Sequence, residues 1–138
     1  MPVIVDTSAL IAILTGEEGA DALLDALDCE PALLPAPARV EFLRVACGGR
    51  LQLAVQAQQL LAEWEEGGLT TIPFDARHAD IASQANALYG SGNGRGGPLN
   101  LLVLMVYAVA KERGEPLLCT GKDFAATDIE LHAASRSY

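Results

Sequence analysis

Three carboxylates stand where an α/β chain concentrates its chemistry. Asp6 follows the β-branched run Val3-Ile4-Val5, and Asp123 lies just beyond a second apolar run, Leu117-Leu118-Cys119-Thr120. Glu41 interrupts the mostly apolar segment Ala38-Arg39-Val40-Glu41-Phe42-Leu43. Ligand crevices in open α/β sheets form beyond the carboxyl ends of strands. Two parallel strands near the centre of one sheet would therefore present Asp6 and Asp123 on one rim. A buried carboxylate without a partner is costly or takes up a proton, and converging carboxylates repel unless a cation lies between them. Oxygen donors of this kind suit Mg²⁺ or Mn²⁺ better than zinc, which favours His and Cys.

Each residue also has a plainer reading. Asp6 alone is a helix N-cap, Asp123 alone a turn residue, and Glu41 alone a partner for Arg44 at i+3 on one helix face. Thr7 and Ser8 either hydrogen-bond to Asp6 or an ordered water, or cap the helix that follows. His78 and His132 have no partners at catalytic spacing and read as surface residues. Trp64 reads as core or interface. Gly92-Asn93-Gly94-Arg95-Gly96-Gly97 contains GxGxxG, but it follows a predicted helix, whereas a dinucleotide-binding turn must follow a strand. A flexible loop beside the site is the better reading.

The elements that must position these residues alternate between strand and helix. Val3–Val5 is unalternating, as in a parallel strand buried on both faces. Thr7–Leu14 predicts a short helix stopped by Gly16. A second helix runs from about Glu18 to Leu27 with a stripe of Ala20, Leu23, Leu24 and Leu27. Ala32–Leu34 is a brief strand, Pro37 starts a helix through Cys47, and Gly48-Gly49 ends it. Leu53–Glu66 is amphipathic, and Leu69–Pro73 reads as a strand with Pro at its edge. Asp75 caps a helix to Tyr89 whose inner stripe is Ala79, Ala82, Ala85 and Leu88. Leu99–Arg113 should be the most buried helix, Leu117–Thr120 the fourth strand, and Asp128-Ile129 a short tail strand or turn. Strands separated by helices imply parallel pairing through right-handed crossovers, and no linker or repeat divides residues 1–138, so one α/β domain is expected.

Composition narrows the function classes. The 138 residues carry 9 Lys and Arg against 18 Asp and Glu, a net charge of -9. This argues against a general electrostatic grip on nucleic acid and suits a protein that holds a cation or meets a basic partner. A nucleic acid would have to be gripped locally. Cys29, Cys47 and Cys119 match neither a zinc site nor a CxxC pair, so they read as packing residues in a reduced cytoplasmic interior. The apolar run Leu99–Ala110 is short of the roughly 20 residues a membrane span needs. No membrane association is expected.

Val3-Ile4-Val5-Asp6-Thr7-Ser8-Ala9-Leu10 resembles the opening of PIN-domain nucleases, particularly the VapC-like toxins. Leu88-Tyr89-Gly90, Leu99-Asn100, Tyr107-Ala108 and Ala110-Lys111 resemble that family's penultimate helix. Pro116-Leu117-Leu118, Gly121-Lys122-Asp123-Phe124 and Thr127-Asp128-Ile129 resemble its ending. The resemblance implies a three-layer α/β/α fold around a mostly parallel sheet of four to five strands. It implies a Mg²⁺- or Mn²⁺-dependent endoribonuclease, the toxin of a toxin–antitoxin pair, with Asp6, Glu41 and Asp123 matching the family's acids as catalytic residues and metal ligands. Thr7, Ser8 and Asn100 are supporting candidates, Asn100 as a neutral oxygen donor. Asp128 is a further supporting candidate, structural rather than catalytic. Arg39, Arg44, Arg95 and Lys122 are candidate RNA contacts, or else solvated surface cations. A VapB-like antitoxin with a basic tail and a homodimer are the implied partners. In one respect the chain departs from the family: Val103 stands where an aspartate is usual. Asn100 and Tyr107 flank it on one helical face, a face expected to look toward the site. The alternative is therefore a catalytically impaired relative that keeps antitoxin binding and dimerisation. A receiver-like or phosphate-binding doubly wound domain would use the same strand-end acids, but the chain lacks a glycine fingerprint after a strand.

Overall fold

The computed structural model describes residues 1–135; the last three positions of the expected domain lie outside them. The described chain runs β1 (Val3–Val5), α1 (Thr7–Thr15), α2 (Ala20–Cys29), β2 (Ala32–Pro35), α3 (Ala36–Cys47), α4 (Ala54–Glu66), β3 (Thr70–Ile72), α5 (Ala76–Tyr89), α6 (Leu101–Arg113) and β4 (Leu117–Leu118), followed by a single 3₁₀ turn, Phe124–Ala126. The four strands form one sheet in the order β3-β2-β1-β4, and every pairing is parallel. With the six helices flanking it, the sheet is the middle layer of an α/β/α sandwich. No described helix is long and apolar enough to cross a membrane.

Val3, Ile4 and Val5 are fully buried, as their unalternating pattern requires. Ile4 stands in register with Leu33 of β2 on one side and Leu117 of β4 on the other. β4 is thus an edge strand beside β1, not a second central strand. The adjacency alone is enough to bring the chain ends after Val5 and Leu118 to the same rim, where Asp6 N donates to Leu118 O at 3.0 Å. Beyond β4, Leu131 pairs with Leu117 in an isolated parallel bridge, so the tail closes on the sheet a few residues later than Asp128-Ile129.

Helix ends follow local chemistry. Gly16 stops α1 in the left-handed conformation that a Cβ disfavours (φ 68°). Gly19 takes the same conformation (φ 88°) just before α2, which therefore begins at Ala20, two residues later than its stripe predicts. α6 is the most buried helix, with Val106 through Ala110 all in the interior, but it starts at Leu101 because the Asn100 side chain caps it.

The inner face of α5 differs from the predicted stripe. Ala79 is exposed and Leu88 is 61% exposed, while His78 is only 3% exposed. His78 is thus a buried linker, not a surface residue. Its Nδ1 accepts from Asp75 N at 3.0 Å, completing a capping box, and its Nε2 donates to Glu112 of α6 at 3.0 Å. Turning this polar but fully satisfied ring inward rotates the face by about a residue. His132 is half-buried and donates through Nε2 to Glu30, tying the tail to α2. Trp64 packs in the core against Phe42, with ring centroids 5.9 Å apart. All three cysteines are free thiols; only Cys119 is buried, and Cys29 and Cys47 are exposed rather than packed.

Candidate active site

Asp6 occupies two roles at once. It is the N-cap of α1, where its Oδ2 accepts from Ser8 N at 3.0 Å and from Ser8 Oγ. It is also buried (6% exposed) at the wall of a cavity of about 330 Å³. The same cavity is lined by Thr7, Ser8, Glu41, Asn100, Val103 and Asp123. The three acids from β1, α3 and the β4 loop therefore face one space, although 117 positions separate Asp6 from Asp123 in the chain.

The neighbouring polar groups fix this arrangement. Ser8 Oγ donates to Asp6 and accepts from Thr120 N at 2.9 Å, stitching the start of α1 to the end of β4. Thr7 Oγ1 donates to Ala38 O at 3.0 Å, which ties α1 to the helix that carries Glu41. Ser8 therefore holds Asp6 itself, whereas Thr7 holds the wall behind it. Asn100 Oδ1 accepts from Val103 N at 3.0 Å, so the residue expected as a neutral donor is also the cap of α6.

The three acids differ in exposure: Asp6 is buried, Glu41 half-buried and Asp123 exposed. Burial pushes the Asp6 carboxyl above the ordinary aspartate range; the Ser8 hydrogen bonds oppose this and the Glu41 charge reinforces it. The Cys119 thiol behind the cavity is pushed up to about 12, chiefly by burial, with Asp6 and Asp123 also raising it. Among the described residues no Lys, Arg or His forms an ion pair with Asp6, Glu41 or Asp123. In particular, the Glu41–Arg44 pair is not formed.

The site's donors are of a kind that a divalent ion accepts. Carboxylates, hydroxyls and an amide oxygen are hard donors of the type Mg²⁺ and Mn²⁺ accept. Among the described residues, however, no three His, Cys, Asp or Glu side chains are grouped closely enough to hold an ion between them. Magnesium is commonly held by one or two carboxylates with water completing its shell. The residues fit an ion bound in that manner.

Other candidates lie elsewhere. Asp128 does not line the cavity: it accepts from Tyr107 Oη at 2.7 Å and from Lys111 Nζ, and these two bonds hold its carboxyl below the usual range. It closes the tail onto α6. Tyr107 accordingly points to Asp128, with its ring tilted against Tyr89, so only Asn100 and Val103 of the expected α6 face reach the cavity. Arg39 pairs with Glu65 of α4 at 3.5 Å. Arg95, in the glycine-rich loop, and Lys122 are exposed and do not line the cavity; Arg44 lines an adjoining groove. Glu17 and Thr120 also line the cavity and were not anticipated. Glu17 follows a helix-stopping glycine, and no spacing rule connects such a turn to a strand end far away.

Comparison with known proteins agrees with this layout. The family model described as PIN domain matches residues 3–130. Ribonuclease VapC42 of Mycobacterium tuberculosis is 40% identical over 128 residues, covering 91% of this chain and 95% of that protein. Among solved structures, VapBC2 from Rickettsia felis, bound to a DNA fragment from its promoter, superposes with a TM-score of 0.71 at 11% identity, covering 99% of this chain and 98% of that one. The Mycobacterium tuberculosis toxin VapC20, described as cleaving the sarcin-ricin loop, gives a TM-score of 0.65 at 16% identity, covering 92% and 95%.

Proposed function

The chain belongs to the PIN-domain family, and from that premise we propose that it is a divalent-metal-dependent endoribonuclease, the toxin of a toxin–antitoxin pair, acting as a single domain. The observation that carries this reading is the convergence of Asp6, Glu41 and Asp123 on one cavity without basic partners among the described residues. The close relative named as a ribonuclease supports the RNA substrate.

Asp6 and Asp123 would hold a Mg²⁺ or Mn²⁺ ion, and Glu41 would ligate it or orient the attacking water. When bound, such an ion supplies charge for the scissile phosphate and a lowered pKa for its water. Ser8 keeps the Asp6 carboxylate aimed into the cavity, and its bond to Thr120 N fixes the two strand ends relative to each other. Because burial raises the metal-free Asp6 carboxyl, protons compete with the cation for it, and metal affinity should weaken on acidification.

The test is cleavage of single-stranded RNA by partner-free protein with Mg²⁺ or Mn²⁺, against an Asp6→Ala control. Metal-dependent products from the wild type alone are expected; identical traces sink the enzyme reading. One observation favours a second reading, a catalytically impaired relative: Val103, an apolar residue, lines the acid cavity. Cleavage appearing only in Val103→Asp would identify the natural chain as that relative.

Two partners accompany this function. A basic antitoxin tail suits a cavity whose acids lack cations, because an Arg or Lys there would satisfy them, and a structural neighbour is itself a toxin–antitoxin complex bound to DNA. A second copy of the chain is the other proposed partner: Leu101 on α6 is 69% exposed and Leu88 on α5 61%. The exposed free thiols of Cys29 and Cys47 are consistent with a cytoplasmic setting.

A further inference from the structure

The acid cavity opens onto a wider groove of about 780 Å³, and Ile11, Glu17 and Val45 line both spaces. The rest of the groove is built by the end of α3 and the loop after it, and it contains two guanidiniums, Arg44 and Arg50. Resting on the ribonuclease reading above, we propose that this groove carries the flank of the single-stranded RNA substrate, with Arg44 and Arg50 as its phosphate contacts.

Charge is the first argument. Acids outnumber bases 18 to 9 in this chain, so a groove lined by two guanidiniums is a local exception to its overall charge. Arg44 and Arg50 have no ion pair among the described residues, yet both line one groove. Paired guanidiniums match phosphate oxygens in a way that a single point charge does not. They supply the local grip that a net charge of -9 otherwise denies to nucleic acid.

Position and rigidity are the second. A strand whose scissile phosphate sits at Asp6, Glu41 and Asp123 continues past Ile11 and Val45 directly into the arginine half. Gly48 and Gly49 stand between the arginines in sequence and contribute no side chains to fill the groove. The turn presenting Arg50 is held by Leu51 N and Gln52 N, both donating to Gly48 O, and by Leu53 N donating to Ala46 O at 2.8 Å. Gln52 takes a left-handed backbone (φ 51°) to close it. Arg50 thus rides on an ordered turn.

The test uses the full chain in chelator, where no cleavage occurs, with a fluorescein-labelled single-stranded 12-nucleotide RNA titrated by anisotropy over a range of salt. The double variant Arg44→Gln/Arg50→Gln should bind roughly tenfold or more weakly, and the slope of log affinity against log salt should shrink by about 1.4, near 0.7 for each lost phosphate contact. Arg44→Lys/Arg50→Lys should restore the salt slope, which counts charge, but only part of the affinity, and Arg77→Gln, on exposed α5 surface, should change nothing. Unchanged affinity and salt slope in the double variant overturn the proposal. Loss of binding to a polyglutamate peptide with RNA binding intact overturns it in favour of a protein-docking groove. Parallel cleavage assays with Mn²⁺ separate the two readings. If the wild type cuts RNA and the double variant binds RNA normally, only the groove assignment fails. If the wild type cuts nothing while the double variant still loses RNA binding, the groove assignment stands and the ribonuclease reading fails.

Discussion

At the scale of single residues, Asp6 carries opposing demands. As an N-cap it stabilises α1, and as a buried acid beside Glu41 it destabilises the metal-free fold. Its raised pKa means that the folded chain keeps a proton at pH values where the unfolded chain has lost it. Its contribution to stability therefore declines as pH rises from the ordinary aspartate range through the raised value. Asp6→Asn keeps a capping oxygen and removes the charge. In chelator at neutral pH the variant should melt above the wild type, and the gap should vanish in acid below the ordinary aspartate range; thermal melts across pH check both. The same substitution should abolish cleavage. Val103→Asp should do the reverse, raising metal affinity by at least about tenfold if the position completes the ion's ligands. Isothermal titration with Mn²⁺ reads that directly.

Elements are joined at the site by few hydrogen bonds, and these are its weak points. Ser8→Ala removes one hydroxyl that serves both Asp6 and Thr120 N, and should cost about 1–2 kcal/mol in denaturant unfolding with a larger loss in cleavage. Asn100→Ala uncaps α6 and should cost about 1 kcal/mol. His78 has a structural role remote from the cavity: it completes the α5 capping box and holds Glu112. His78→Ala should cost about 2–3 kcal/mol through the lost cap, the lost charge-assisted bond and the space left in the interior, with cleavage per folded molecule unchanged. A matching loss of kcat would place His78 nearer the chemistry than its position allows.

For the molecule as a whole, the excess of acid makes ligands with positive charge stabilising. A divalent ion that binds only the folded chain should add about 2.7 kcal/mol at a hundred times its Kd, and Asp6→Asn should remove this gain. Paired thermal melts with Mg²⁺ and with chelator measure it. The α5–α6 face bears on assembly. If a second copy covers it, Leu88→Asp/Leu101→Asp should convert a dimer to a monomer in light scattering without lowering the melting temperature of the monomer fold. An unchanged mass would move the interface elsewhere.

Much of this was legible in the linear chain. The buried strand Val3–Val5, the stops at Gly16 and Gly48, the cap at Asp75 and the acids after β1 and β4 all follow from interactions within a few residues of one another, which a sequence records directly. Distant encounters are different. That Glu41 faces Asp6 and leaves Arg44 alone depends on how α3 lies against α1, through the Thr7–Ala38 bond. That Asp128 serves Lys111 and Tyr107, and that His78 turns inward toward Glu112, depends on which helix face meets which neighbour. Those choices are made by packing, where apolar burial fixes the elements and polar groups take whatever partners then come within reach. Local pattern therefore determined the elements and the kinds of donor at their ends, and only the assembled tertiary structure decided which of those donors share a cavity.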